Sequence, residues 1–211
     1  MESENCPLCD AQGKPCFTDR HHRFFSCGNC GALFRDPKQW PDPVSEKKRY
    51  LLHQNHLEDA GYRAFAGPIL NRVRTGFDPG SLGLDYGCGH NPVISEILRQ
   101  ENFRVDDYDP LFYPKKIFEG KSYDYIVCCE VIEHFHRPDR EFERLSQLLK
   151  RKGSLICMTD IYSDSTDFSK WYYKNDPTHV FIYREQTLNY ICSKYNFSDL
   201  KIDNRLIEFF K

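Results

Sequence analysis

The sequence lacks several features that would identify whole classes of protein. No apolar run approaches the ~20 residues of a transmembrane helix, so we expect no membrane-spanning segment. The formal charge of −2 gives no overall attraction to nucleic acid or to a membrane surface. The acidic, polar stretch 1–5 does not have the pattern of a signal peptide, and no internal repeat is present. What remains is a chain of 211 residues, 40% of them apolar, which predicts one main domain with an appendage.

Cysteine, by contrast, is abundant, with ten residues in the chain. Half of them lie in apolar or turn contexts and are interpreted as reduced, buried thiols. They are Cys88, Cys128, Cys129, Cys157 and Cys192. This usage predicts a cytoplasmic protein rather than a disulfide-linked secreted one.

The other cysteines predict a metal module over residues 1–37. Two Cys-x-x-Cys pairs are separated by residues 10–26, and four thiolates at this spacing form the closed tetrahedral set of a structural Zn²⁺ site. The assigned ligands are Cys6, Cys9, Cys27 and Cys30. So small a unit cannot bury enough surface to fold without metal. Cys16, His21 and His22 have no partner at this spacing and are not assigned.

The module resembles a zinc ribbon, a type of domain that often binds nucleic acid. Its basic residues form only a modest set, so recognition of RNA stays the less favoured interpretation. The set consists of Arg20, His21, His22, Arg23 and Arg35.

A predicted strand, a glycine turn and a helix start follow one another over residues 81–92. Gly87 and Gly89 permit backbone angles and a close approach that a Cβ atom would block. Asn91 is the predicted N-cap and Pro92 the predicted first helical residue. A helix N-terminus behind a glycine turn predicts a nucleotide-type binding site.

Two acids stand at the ends of the predicted strands around this turn. Asp85 directly precedes the glycines, and Asp109 closes the next apolar stretch, 103–109. The distance from the turn to Asp109 suits an acid that holds ribose hydroxyls, in NAD enzymes as well as in others. Pro92 occupies the position of the third glycine in the dinucleotide fingerprint, which disfavours NAD.

Three segments together resemble class I S-adenosylmethionine (SAM)-dependent methyltransferases: 85–89, Asp109-Pro110 and 123–134. The Glu-Val-Ile-Glu-His sequence within the last one resembles the quinone-biosynthesis type. The resemblance covers about residues 80–160 well, and it implies a three-layer α/β Rossmann-like sheet that binds SAM. It implies cofactor-binding roles for Asp85, Gly87, Cys88, Gly89, Asp109, Pro110 and Glu130.

One segment departs from this family. Only residues 110–122 separate Asp109 from Tyr123, where the family usually has a helix, a third strand and another helix. The third strand is therefore expected to be minimal or missing, with 116–118 its one candidate. No residue is assigned to the adenine.

We predict a zinc ribbon over 1–37, a helical connector or lid over 38–79, and the methyltransferase domain over 80–211. Helices are expected to begin near Ser45 and at Asp59. The candidate lid residues are Tyr50, His53, Asn55 and His56, with a solvated helix face as the equal alternative. Later elements are predicted helices over 139–150 and 186–195, a strand over 155–158, and a terminal hairpin with an antiparallel strand over 197–210.

A long polar and aromatic segment, 160–183, follows the strand 155–158 at the predicted ligand edge of the sheet. A loop of this length in a compact domain is usually functional, so it predicts the acceptor-binding lid. His179 is the candidate catalytic residue, a general base for a hydroxyl acceptor. The alternative is a histidine that only hydrogen-bonds the loop together. Glu133 and His134 have the same two interpretations.

The predicted function is methyl transfer from SAM to an unidentified acceptor, with a small molecule favoured. One alternative is an RNA or protein methyltransferase that uses the zinc ribbon for recognition. A second is a cofactor-binding scaffold protein without catalysis.

Overall fold

Two sheets organise the computed structural model, which describes residues 3–52 and 56–211. The first sheet is antiparallel and contains β1 (Glu4–Asn5), β2 (Gln12–Thr18), β3 (Arg23–Cys27) and β4 (Leu33–Arg35) in that order. A residue with a left-handed backbone follows each Cys-x-x-Cys pair: Asp10 has a φ of 59° and Gly31 a φ of 77°. These conformations turn the chain sharply after each pair, so that both pairs meet at one end of the sheet.

Two helices follow the first sheet, α1 (Pro43–Tyr50) and α2 (Ala60–Gly76). The Asp59 carboxylate accepts hydrogen bonds from the backbone of Gly61 and Tyr62, which confirms the predicted helix start. α1 begins two residues earlier than predicted, because the Asp42 carboxylate caps it. The predicted lid residues His53 and Asn55 lie outside the described residues.

The second sheet carries the parallel strands β5 (Leu82–Tyr86), β6 (Arg104–Tyr108), β7 (Tyr123–Cys129) and β8 (Leu149–Met158). The terminal hairpin of β10 (Asp199–Asp203) and β11 (Leu206–Phe210) extends it, giving the order β10-β11-β8-β7-β5-β6 with β11 antiparallel to β8. This topology confirms the predicted antiparallel final strand.

Helices cover both faces of the second sheet. α2 and α3 (Val93–Gln100) pack on one face, against side chains such as Val127 and Ile156. α4 (Pro138–Leu148) and α5 (Glu185–Lys194) pack on the other face, against Ile126 and Leu155. Alternate residues of β7 and β8 are therefore buried in opposite layers, which confirms the three-layer α/β fold.

The third strand of the usual pattern has no counterpart in the described residues. β7 pairs directly with β5, and β6 is the edge strand. Residues 116–118, the predicted candidate, do not form a strand, and only an isolated bridge joins Asp109 to Tyr113. The prediction of a minimal or missing strand is confirmed.

Two predicted helix boundaries were wrong. Pro92 rather than Asn91 is the N-cap of α3, which starts at Val93. α4 ends at Leu148, and the predicted basic end of that helix, 150–152, belongs to the long strand β8. A Cβ on Gly153 would lie 2.9 Å from the Asp124 carbonyl oxygen, so this glycine allows β8 to pass close to β7.

A fifth strand, β9 (Phe181–Ile182), joins the N-terminal sheet from the far end of the chain. It pairs with β4 through Leu33–Ile182 and Phe34–Phe181. Phe34 also lies in the same buried cluster as Phe142 of α4, so the two sheets share one hydrophobic core. A two-residue strand gives no sequence signal, and the predicted domain boundaries stay predictions.

Candidate functional site

A cavity of about 1010 Å³ opens at the carboxyl ends of β5, β6 and β7. This edge of an open α/β sheet is where such folds bind ligands. Its walls also come from α1, α2 and the loop 160–183. Ligand pockets measure ~300–1,000 Å³, so this one has room for a nucleoside-type cofactor together with a second molecule.

The glycine turn after β5 forms one wall of the cavity. Gly87 has a φ of 85° and Gly89 a φ of 69°, both in the left-handed region. A Cβ on Gly87 would lie 2.6 Å from Val131, whereas a Cβ on Gly89 would meet no atom within 4 Å. The first glycine is thus required by packing, and the second leaves the backbone bare toward the cavity. Cys88 lies between them on the same wall.

Asp85 precedes this turn and is buried, with 3% of its surface exposed. Burial and the neighbouring Asp107 raise the pKa of its carboxyl group to about 7. It lies beside a small cavity of about 20 Å³ that Tyr62 and Cys88 also line. A cation bound there would hold the carboxyl group in its ionised form.

Asp109 connects the glycine turn to the turn after β6. Its Oδ1 accepts hydrogen bonds from the backbone of Leu111 at 2.8 Å and of Phe112 at 3.1 Å. Its Oδ2 accepts one from Gly89 at 3.1 Å and retains one lone pair. Pro110 lies next to it on the cavity wall. The carboxylate is therefore fixed in place while one acceptor position stays available.

Glu130 directly follows β7 with a φ of 51°, a strained conformation for a residue with a side chain. Burial and the nearby Glu133 raise the pKa of its carboxyl group to about 8, although Arg205 opposes the shift. Arg205 donates to its Oε2 at 2.6 Å and also contacts Asp160 at 2.7 Å. No sequence pattern pointed to Arg205, because only the fold of the terminal hairpin brings it here.

Glu133, His134 and His179 meet beside Glu130, and we call them the Glu-His-His cluster. Each offers one ligand atom, and these atoms lie within 4.8 Å of one another. The Nδ1 of His134 contacts the Thr178 carbonyl oxygen at 2.8 Å, and that of His179 contacts the Tyr173 carbonyl oxygen at 2.7 Å. Because a carbonyl oxygen only accepts, both Nδ1 atoms carry the proton and both Nε2 atoms present a lone pair.

Burial keeps both histidines neutral. It lowers the pKa of His179 to about 3, with His134 adding to the effect, and it lowers the pKa of His134 as well. A general base works best when its pKa lies near the operating pH. His179 lies at the cavity as predicted, but as a free imidazole it is a weak base, and its catalytic role stays a prediction.

The loop 160–183 contributes Tyr172, Tyr173, Asn175, Asp176 and His179 to the cavity wall. Arg49 of α1 binds the Asp176 carboxylate at 2.7 Å, and despite burial this contact holds the pKa of Asp176 well below its ordinary value. The predicted lid residue Tyr50 also lines the cavity, whereas His56 is exposed.

Arg35 of β4 fixes the same loop from the N-terminal sheet. Only 2% of its surface is exposed, and it donates to three loop carbonyl oxygens. They are those of Lys174 at 2.7 Å, Asp176 at 3.0 Å and His179 at 3.4 Å. Arg35 belongs to the basic set considered for RNA recognition, but its guanidinium group faces the interior.

The four predicted zinc ligands come together at the end of the N-terminal sheet. Their sulfur atoms lie within 4.8 Å of one another, with Cys6–Cys30 at 3.6 Å and Cys9–Cys27 at 3.4 Å. Thiolates around a zinc ion at ~2.3 Å lie about 3.8 Å apart, so the donor set fits zinc. Lys194 of α5 supports this end by donating to the Leu8 carbonyl oxygen at 2.7 Å.

The chain matches the family described as "Methyltransferase domain" over residues 54–202. A magnesium protoporphyrin IX methyltransferase from Synechocystis PCC 6803 with bound SAH is similar in structure, with a TM-score of 0.53 and 18% identity over 79% of this chain and 93% of that one. A SAM-dependent methyltransferase from Archaeoglobus fulgidus has a TM-score of 0.55 and 18% identity over 71% of this chain and 94% of that one.

An O-methyltransferase family protein from Burkholderia thailandensis has a TM-score of 0.54 and 13% identity over 82% of this chain. The chain spans 64% of that protein's length. None of the proteins with curated functions matches the chain. Within the described residues, the helices are too short or too polar to cross a membrane.

Proposed function

Because the chain belongs to the methyltransferase-domain family, we propose that it transfers a methyl group from SAM to a small-molecule acceptor. SAM supplies an electrophilic methyl group on a sulfonium ion. The observation that carries the proposal is the cavity beside the bare glycine turn, with Asp85 and Asp109 on either side of that turn.

The residues present fit this cofactor. Asp85 is buried near other acids and forms no ion pair among the described residues, and the ammonium group of SAM would supply a partner. The bare backbone at Gly89 admits the cofactor closely, with Gly87 and Cys88 in the same turn. Asp109 keeps an acceptor position for ribose hydroxyls, with Pro110 beside it. Leu111 and Phe112, which the sequence analysis did not assign, offer apolar surface to the adenine.

The protein's contribution to the reaction is mostly positioning and the exclusion of water. Glu130, held by Arg205, lies where the methionine part of the cofactor meets the acceptor space. Tyr172, Tyr173 and His179 surround that space and orient the acceptor.

A small molecule fits these features better than RNA or protein does. The acceptor space lies beneath an aromatic loop, and the net charge is −2. Arg35, which a ribbon that recognises RNA would expose, is buried. The volume left for an acceptor also argues against a scaffold protein that only binds the cofactor.

We further propose that one structural Zn²⁺ ion is bound by Cys6, Cys9, Cys27 and Cys30. Four thiolates leave no open coordination position, which suits a structural rather than a catalytic metal. The ten cysteines form no disulfide, which supports a cytoplasmic location, where thiols stay reduced.

Calorimetry with SAM and with NAD tests the proposal. We expect SAM to bind and NAD not to bind. Asp109→Ala should weaken SAM binding by ~1.5–3 kcal/mol, the range for losing hydrogen bonds to a charged group. Incubation of a metabolite extract with labelled SAM would then identify the acceptor. Tighter binding of NAD than of SAM would overturn the proposal.

A further inference from the structure

We propose that Glu133, His134 and His179 bind a divalent transition-metal ion at the acceptor end of the cavity, apart from the cysteine site. The cluster combines two imidazole nitrogens and one carboxylate oxygen, drawn from the segment after β7 and from the loop 160–183. The role of the ion in catalysis rests on the proposed function, whereas its binding does not.

The orientation of the histidines is the first support. Metal-binding histidines usually donate the second ring N–H to a carbonyl or carboxylate group, which fixes the ring and directs the lone pair to the metal. Both His134 and His179 do so through Nδ1, at 2.8 Å and 2.7 Å. The Nδ1 contacts are sufficient to hold the loop, and they leave the lone pairs of both Nε2 atoms available to a metal.

The carboxylate of Glu133 is the second and independent support. Glu133 is fully buried, with 0% of its surface exposed. The Tyr173 hydroxyl donates to its Oε1 at 2.5 Å, but its Oε2 has no hydrogen-bond partner among the described residues. An unpaired carboxylate oxygen in the interior is costly, and a cation beside it removes that cost.

The spacing allows one ion to reach all three ligands. Two ligands at ~2.1 Å from a tetrahedral ion lie about 3.4 Å apart. The ligand atoms of the cluster lie within 4.8 Å of one another, so small side-chain rotations are sufficient. Arg205 compensates the adjacent Glu130, which leaves Glu133 as the anionic ligand.

The donor set indicates the class of metal. Mg²⁺ and Ca²⁺ prefer all-oxygen sites, whereas two imidazoles with one carboxylate suit Mn²⁺, Fe²⁺, Co²⁺ or Zn²⁺. Three protein ligands leave positions open, and His134 and His179 line the cavity. An ion here would bind an acceptor oxygen, orient it toward the methyl group and lower the pKa of a hydroxyl, which His179 alone is too weak a base to do.

Titration of the full chain with Mn²⁺ tests the site, because the signal of the free ion in electron paramagnetic resonance disappears on binding. The open site is first cleared with a weak chelator, and elemental analysis confirms that one zinc remains at the cysteines. We expect one Mn²⁺ per chain. Glu133→Gln and His179→Gln should each weaken Mn²⁺ binding at least tenfold while zinc content, melting temperature and SAM affinity stay unchanged.

His136→Ala is the matched control, since His136 lines the same cavity outside the cluster. It should bind Mn²⁺ as the wild type does. Failure of the wild type to bind Mn²⁺, normal binding by both cluster variants, or loss of binding in the control would each overturn the metal site. Calorimetry with SAM on the same samples reports separately on the proposed function, which fails if SAM does not bind.

Discussion

The two clusters of candidate metal ligands in this molecule differ in the number of their ligands and in their access to the cavity. The cysteine cluster has four ligands, drawn from two short motifs at the end of one small sheet. The Glu-His-His cluster has three, drawn from the segment after β7 and from the loop 160–183, and two of them line a cavity of about 1010 Å³. A closed set of ligands stabilises a fold, whereas an open set beside a cavity can bind a reactant. If both proposals are correct, the first cluster serves the structure and the second serves the chemistry.

The two clusters are nevertheless connected. β9 pairs with the N-terminal sheet only a few residues after His179, and Arg35 of that sheet binds the carbonyl oxygen of His179. Val180 connects them again, because its carbonyl oxygen accepts from the Arg35 backbone N–H and its own backbone N–H donates to the Glu133 backbone carbonyl oxygen. The N-terminal sheet thus helps to hold the loop that lines the proposed acceptor space. This role differs from the recognition of nucleic acid.

The largest effect should follow from removing zinc ligands. Cys9→Ser and Cys30→Ser should each lose zinc, and the N-terminal sheet should lose its fold, because structural zinc contributes ~10–16 kcal/mol in small zinc domains. Through β9 and the shared core, we expect the melting temperature of the whole chain to fall. Elemental analysis and calorimetric melting measure both. Full zinc retention in both variants would refute the assigned ligands, and Cys16→Ser, outside the cluster, is the control.

The next largest effect should come from the open cluster. If His179 takes part in the chemistry, as a base or as a metal ligand, His179→Ala should lower turnover by ~10²–10⁴-fold with the identified acceptor, while SAM affinity stays nearly unchanged. If His179 binds a metal, raising the Mn²⁺ concentration should restore part of the activity, since the remaining two ligands still bind weakly. If His179 only holds the loop, the variant should raise the acceptor KM and show no response to Mn²⁺.

Arg35→Lys should have a smaller effect, which tests the contact between the N-terminal sheet and the loop 160–183. Lysine keeps the charge but loses the planar set of donors that reaches three carbonyl oxygens, at a cost of about 1–3 kcal/mol. We expect a higher acceptor KM and a lower melting temperature, with unchanged SAM affinity and full zinc content. Arg20→Lys, on the exposed side of the same sheet, serves as the control. A change in SAM affinity equal to that in acceptor KM would contradict a specific effect on the loop.

The sequence predicted the parts that depend on local patterns. Short stretches of sequence were sufficient to predict four features. They are the Cys-x-x-Cys pairs, the glycine turn, the positions of Asp85 and Asp109 at strand ends, and the shortened segment before β7. It missed what depends on contacts between distant segments: β9, the buried position of Arg35 and the arrival of Arg205 at Glu130. The boundary of α4 was wrong because a close strand contact at Gly153 overrides the helical pattern. Each member of the Glu-His-His cluster was a candidate from the sequence. That the three lie close together could not be predicted, because it depends on the fold.

The last effect concerns the pH dependence of the proposed cofactor site and has no counterpart at the closed cluster. Burial and Asp107 raise the pKa of Asp85 to about 7, above its ordinary value of about 3.9. Between these values the folded protein keeps a proton that the unfolded chain has released. Asp85 therefore lowers the free energy of unfolding as the pH rises from about 4 to 7, and its contribution is constant above that range.

Binding of SAM should have the opposite pH dependence, because the ammonium group pairs only with the ionised carboxylate. We expect the affinity to fall by up to about tenfold for each pH unit below about 7 and to be level above it, as calorimetry across this range would measure. Asp85→Asn should bind SAM weakly at every pH and should lose the decline in stability between pH 4 and 7. The difference between the pH profiles of this variant and of the wild type gives the contribution of Asp85, because Glu130 and Glu133 titrate in both proteins. Asp107→Asn should shift the transition to lower pH by removing the neighbouring charge, and an unchanged transition in that variant would leave burial and the charge of Asp109 as the causes of the raised pKa.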